Sequence, residues 1–384
     1  MTSRTFWPRR GQVTLGQAFN PRDNALNALR LFFALLVIFS HSLTLGGYRS
    51  EVLWGHATLG DIAVNAFFAI SGFLIVASAL RNNVLRYLWQ RFLRIFPAFW
   101  VCLLAIAGIA GPIGWVADGN SLANYWHARS GPEHYIAVNC FLRMYSHSIA
   151  GTPVNVPYPL VWNGSLWTLV FEFYCYLMVA ALAATTLLRR RRVVLALWIV
   201  SWAFALGLAV SGTHLSLLSH FLPPLIRFTP IFFAGAVLWL YRDKIPDSKG
   251  LFAAAVLAVA IGTFLKDPDV IAGPPLAYAC VWAAIHLPGK RIGVRYDISY
   301  GTYIYAFAVA QVLAIWKVHT WGYLPFTLLS VLATLALAMV SCVFVERPSL
   351  RLKRWTPKIL IKARPPGPTG GESHDVTHVP NELP

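Results

Sequence analysis

The chain has 384 residues, of which 57% are hydrophobic and only 12% charged, with a formal net charge of +17. Soluble domains carry about 25% charged residues, so water is not the main solvent of this protein. The positive charge does not mark a nucleic-acid binder, because the basic residues sit between apolar segments rather than in an aromatic-interleaved patch.

The first 25 residues are polar and contain arginines. The apolar run behind them is too long for a cleaved signal peptide and lacks its small-residue cleavage site. Apolar segments then recur near 26–46, 59–80, 96–116, 161–188, 193–212, 221–241, 251–266, 271–287, 298–316 and 324–345. Most have the length an α-helix needs to cross ~30 Å of hydrocarbon, and their hydrophobicity is continuous rather than alternating, which excludes a barrel. The expected fold is all-α: a polytopic membrane helix bundle of about ten transmembrane helices. It divides into an N-terminal segment 1–25, one membrane domain 26–350, and a basic, then disordered, tail 351–384, in which Pro, Gly and polar residues dominate from Ala363.

Basic residues resist translocation, so Lys and Arg on alternate sides report orientation. Twenty-six fall on the side of the two termini and five on the other, giving an expected N-in/C-in topology. The longest connection, 117–160, is then external and rich in aromatics, among them Tyr125, Trp126, Tyr135 and Tyr145. These read either as interfacial belt residues or as a sugar-stacking surface. Five scattered cysteines, Cys102, Cys140, Cys175, Cys280 and Cys342, have no paired spacing for a metal or a disulfide framework.

Ionisable residues inside spans are costly and mark candidate sites. Arg30 and His41 share the first helix; eleven residues apart, they lie within about 20° of one face and roughly 16 Å apart along the axis. Arg30 also reads as a positive-inside anchor, and His41 as a hydrogen-bonded interfacial histidine, but a neutral imidazole in the membrane can serve as a base. Glu172, in the fourth span, must be protonated or paired, and Arg227 in the sixth is its expected partner. In the second span Asn65 and Ser71 can face a polar cavity, and Ser71-Gly72 permits close helix approach. Arg86, Arg91 and Arg94 precede the third span, where they serve topology or bind a phosphorylated cofactor. Asn163-Gly164-Ser165 is a sequon at the membrane boundary.

Taken in order, these residues resemble the acyltransferase-3 family of bacterial membrane acyltransferases. The resemblance rests on Arg30 with His41, Phe67-Phe68-x-x-Ser71-Gly72-Phe73-Leu74, and Arg91-Phe92-x-Arg94-Ile95-x-Pro97. It continues through Ser165-Leu166-Trp167-Thr168-Leu169 with Glu172, Arg227 before Phe233-x-Gly235, Ser299-Tyr300 with Tyr303, and Glu346-Arg347-Pro348. The chain departs from the pattern at Ala306 and Ala308, where a His and a Pro are common, and at Asn65, where Asp is common.

The resemblance implies transfer of an acyl group, usually acetyl from acetyl-CoA, to a hydroxyl of a cell-surface glycan or lipid-linked saccharide at the bacterial plasma membrane, with no metal. Arg30, Arg86, Arg91 and Arg94 are expected to hold the acyl-CoA. His41 acts as base or transient acyl carrier, and Glu172 orients it or the acceptor. Asn65, Ser71, Trp167 and Arg227 support substrate or structure. The rival reading is a proton-coupled transporter or flippase of an envelope precursor, which also needs buried charges; no inverted repeat supports it. A receptor or scaffold would give no reason for His41 and Glu172.

Overall fold

The computed structural model describes residues 13–212, 221–265 and 268–354. The expected disordered tail from Ala363, and the first twelve residues of the N-terminal segment, lie outside the described residues. The described residues fold into helices at all ten expected places: α1 (Leu26–Leu45), α2 (Leu59–Arg81), α3 (Val84–Ala117), α4 (Leu166–Ala184), α5 (Arg191–Ser211), α6 (Leu222–Tyr241), α7 (Lys249–Gly262), α8 (Pro268–His286), α9 (Ser299–Ile315) and α10 (Tyr323–Arg351). Eight are long and apolar enough to cross a membrane, while α7 and α9 have 14 and 17 residues. The protein is an all-α, multi-pass membrane bundle.

α3 begins twelve residues earlier than the apolar run at 96. Its first turns are amphipathic and Arg-rich, so they read as loop when hydrophobicity alone is followed, yet Asn83 caps them by accepting from the Arg86 amide at 2.8 Å. Arg86, Arg91 and Arg94 therefore sit on a helix rather than in a loop.

At the centre, α2 packs against α6 with backbones in contact. A methyl group on Gly72 would overlap the carbonyl of Phe232, and one on Gly235 would overlap the carbonyl of Ala69. This is the close approach expected of Ser71-Gly72, and it accounts for the glycine in Phe233-x-Gly235. Replacing Gly72 by Ala should cost about 1–3 kcal/mol or more, because backbone cannot yield as a side chain can. The check is a lowered midpoint of thermal unfolding in detergent. α9 lies in the middle of the bundle, buried on all faces from Ser299 to Ala308. By contrast, α5 is peripheral, with only Val194 and Ala205 buried.

The long connection after α3 folds over the bundle end. Tyr125, Tyr135 and Trp162 are fully enclosed, and Tyr125 donates to the Ala107 carbonyl at 2.5 Å. Asp118 accepts from the amides of Val154 and Asn155 at 2.9 and 3.1 Å. Tyr125 and Tyr135 are thus packing residues, neither belt nor sugar platform, whereas Trp126 and Tyr145 stay exposed. Asn163 is buried and donates to the Ile304 carbonyl at 2.7 Å, so the sequon is a structural element and not a modification site.

Candidate active site

Two recesses line the middle of the bundle. One is walled by Arg30, Val64, Phe67, Ser71, Thr168, Glu172, Ser299, Tyr300 and Tyr303. The other is walled by His41, Glu51, Thr58, Asp61, Val64, Ser165, Trp167, Thr168, Arg227 and Tyr303. The second is the roomier, about 210 Å³ against about 40 Å³. Arg30 and His41 fall in different recesses, as two residues on one face about three turns apart must when the bundle is divided between them.

His41 is fixed by a residue from the loop that follows its own helix. Its Nδ1 lies 2.8 Å from Oε1 of Glu51, and Oε2 of Glu51 accepts from Ser40 Oγ at 3.0 Å. Both partners are about one-fifth exposed. Burial pushes the Glu51 carboxyl up, but the hydrogen bond and charge of His41 and the Ser40 hydroxyl outweigh it and hold it below the usual carboxylate value. An ionised Glu51 selects the tautomer with the proton on Nδ1, leaving the Nε2 lone pair free for chemistry. The Phe307 ring meets the imidazole edge-on at 5.6 Å.

Arg227 does not pair with Glu172. Its Nη2 donates to Asp61 at 2.7 Å and its Nε lies 2.6 Å from Asp269, whose other oxygen takes the Asn65 amide. Asp61 is placed by a capping box at the start of α2, where Thr58 and Asp61 exchange hydrogen bonds. Asn65 therefore ties an ion-pair cluster together, and Arg227 and Asp61 show one edge of that cluster to the His41 recess. Trp167 forms the aromatic part of the same wall, against Phe228 at 5.8 Å.

Glu172 lies in the Arg30 recess instead. Its Oε1 accepts from Ser71 Oγ at 2.7 Å and from the Tyr176 hydroxyl. It makes no contact with His41 among the described residues; the carboxylate beside the imidazole is that of Glu51. At the mouth of this recess, Asp297 gathers three elements: Oδ2 accepts from Arg30 Nη1 at 2.9 Å and from Arg94 Nη2 at 2.7 Å, and Oδ1 accepts from Ser299 at the start of α9. Burial opposes its charge, but the two guanidiniums overcome this and hold the carboxyl far below the ordinary range. Glu346, at the foot of α10, is 3.5 Å from Arg94. Arg91 points between the rings of Tyr87 and Tyr176, and Arg86 is exposed at the helix start.

Val64, Thr168 and Tyr303 belong to both recesses. The hydroxyls of Thr168 and Tyr303 meet at 2.6 Å, and Tyr303 also donates to the Ser165 carbonyl at 2.8 Å, forming a neck between the two chambers.

Six acidic residues carry this arrangement, of which sequence reasoning singled out Glu172 as a site candidate and Glu346 within a motif, and missed the other four. Glu51, Asp61, Asp269 and Asp297 sit in loops or at span edges, where a carboxylate looks ordinary. A signal was present all the same: the chain has only 15 acidic residues against 32 basic ones, so an acid beside an apolar segment is scarce enough to notice.

Residues 23–343 match the acyltransferase domain family, Acyl_transf_3. An O-acetyl transferase of Shigella phage Sf6 is 28% identical over 349 residues, covering 88% of this chain and 99% of that one. Nodulation protein 10 of Rhizobium leguminosarum bv. viciae is 28% identical, with 86% and 94% covered, and the exopolysaccharide production protein ExoZ of Rhizobium meliloti is 25% identical, with 80% and 95% covered. No solved structure matches the chain. With its family model spanning the bundle from the start of α1 to the foot of α10, the chain belongs to the acyltransferase-3 family and is a membrane O-acyltransferase.

Proposed function

We propose that this protein moves an acetyl group from acetyl-CoA to a hydroxyl of an exported or cell-envelope glycan at the bacterial plasma membrane. The observation that carries the reading is the pair of recesses joined at Thr168 and Tyr303, with a base at one end and clustered cations at the other. In the orientation favoured by the basic loops, the Arg30 recess faces the cytoplasm and the donor, and the His41 recess faces the acceptor. Nε2 of His41 removes the acceptor proton as the hydroxyl oxygen attacks the thioester carbonyl. The carbon–sulfur bond breaks, and the coenzyme A thiolate leaves and takes up a proton. Ionised Glu51 stabilises the imidazolium formed in between. The same residues permit an acetyl-imidazole intermediate on His41, with water excluded and the acceptor attacking second.

The acetyl reading draws support from a relative named as an O-acetyl transferase, and the glycan reading from one named as an exopolysaccharide production protein. Mass spectrometry of envelope and secreted glycans from cells with and without the gene tests it. A loss of 42-Da adducts in the deletion, restored by the wild-type gene and not by His41→Ala, is the expected result; unchanged glycans would overturn it. Purified protein should also bind or slowly hydrolyse radiolabelled acetyl-CoA, and ion-driven flux without such binding would restore the transporter reading.

A further inference from the structure

At the mouth of the Arg30 recess, more positive charge converges than the acids present can neutralise. Asp297 and Glu346 are taken by Arg30 and Arg94. Arg91 has no ion pair among the described residues, and its buried Nε has no hydrogen-bond partner there. The foot of α10 adds Arg347, Arg351 and Lys353, which with Leu350 line a further recess that has no acid in its wall among the described residues. Arg347 and Arg351 are four residues apart on a helix, a spacing at which like charges repel. Lys353 is near enough to Arg91 and Arg94 that its ammonium, already disfavoured by burial, is pushed down to about 8.

This crowding is held in place. Glu346 ties the foot of α10 to Arg94, and the Trp89 indole of α3 donates to the Leu352 carbonyl at 3.2 Å. The Arg347 guanidinium lies over the Tyr296 ring at 4.6 Å, next in sequence to Asp297. A fixed cluster of cations beside a guanidinium whose buried Nε has no hydrogen-bond partner among the described residues is what an anion of two or more charges would complete.

We propose that Arg91 and the turn carrying Arg347, Arg351 and Lys353 form a phosphate-binding site that takes the phosphorylated nucleotide end of the acyl donor. It rests on the reading of coenzyme A as donor, and it moves the phosphate contacts away from Arg94 and Arg86 to a segment at the opposite end of the chain. Arg94, already divided between two carboxylates, then holds the mouth in shape. The thioester arm runs from this site past Arg30 toward His41.

The test uses the full chain in nanodiscs of phosphatidylcholine, with calorimetric titration of coenzyme A and of 3′-dephospho-coenzyme A. Lys353→Ala and Arg351→Ala should each weaken coenzyme A binding about tenfold while the protein elutes as one species. Loss of the 3′-phosphate from the ligand should weaken the wild type in the same way and the Lys353 variant much less. A wild type that binds coenzyme A no more tightly than either variant overturns this site alone. A wild type that binds neither ligand overturns the donor reading and this site with it. A second arm titrates both proteins in nanodiscs containing phosphatidylglycerol. Variants that keep wild-type coenzyme A affinity but lose an anionic-lipid dependence would assign the phosphate to a lipid headgroup and overturn the proposal.

Discussion

His41→Ala is expected to lower acyl transfer by about 10²- to 10⁴-fold, with the protein still folded in the membrane. The imidazole touches its surroundings mainly through Glu51 and Phe307, so its removal leaves the helix contacts of α1 intact. Glu51→Gln isolates the role of the carboxylate. It keeps the shape of the side chain but removes the charge that favours imidazolium, and it can present an amide N–H to Nδ1 and so select the wrong tautomer. The expected loss is roughly 10²-fold or more in kcat, with little change in KM for the donor. A variant with wild-type kcat, or one whose loss falls on KM for the donor rather than on kcat, would remove Glu51 from its positioning role.

Asp297→Asn should be the most damaging single change for stability. Arg30 would lose its carboxylate partner and Arg94 would keep only Glu346 at 3.5 Å in a partly buried mouth, and removing one partner of a buried pair costs about 3–5 kcal/mol. The pH dependence has a definite sign. A carboxyl depressed in the folded state contributes its stability above its unfolded pKa, near 4, and loses it as pH falls toward its folded value. Asp297 therefore contributes in full at neutral pH, and its share of wild-type stability should decline only below about pH 4. The variant should unfold at lower temperature than wild type at pH 7, with the gap narrowing in acid. A pH-independent gap would mean that Asp297 acts through packing alone.

Continuous apolarity located each of the ten bundle helices, though not the short helix Pro132–Asn139, because spanning length and apolarity are properties of a single segment. The Arg30–His41 face was legible for the same reason, since both residues sit on one helix and geometry relates them. Partnerships were not legible. Arg30 meets Asp297 across 267 positions and Arg227 meets Asp61 across 166, distances that no local pattern encodes. Glu172 and Arg227 were paired by charge and depth, yet they occupy different recesses, Glu172 with Ser71 and Arg227 with two aspartates. The early start of α3 was hidden by its arginines, which lower hydropathy without weakening the helix.

The hydroxyl contact between Thr168 and Tyr303 has a consequence for the cell's energy supply. A catalyst that reaches both faces of an energised membrane must remain electrically tight, because each elementary charge leaked down a potential of 100 mV dissipates about 2.3 kcal/mol. The neck narrows at these two hydroxyls, 2.6 Å apart. On the proposed reading the group transferred is acetyl, small and uncharged, the one part of such a donor that can be handed through a constriction while the insulation holds. The same two hydroxyls would then separate the anionic carrier from the cargo it delivers.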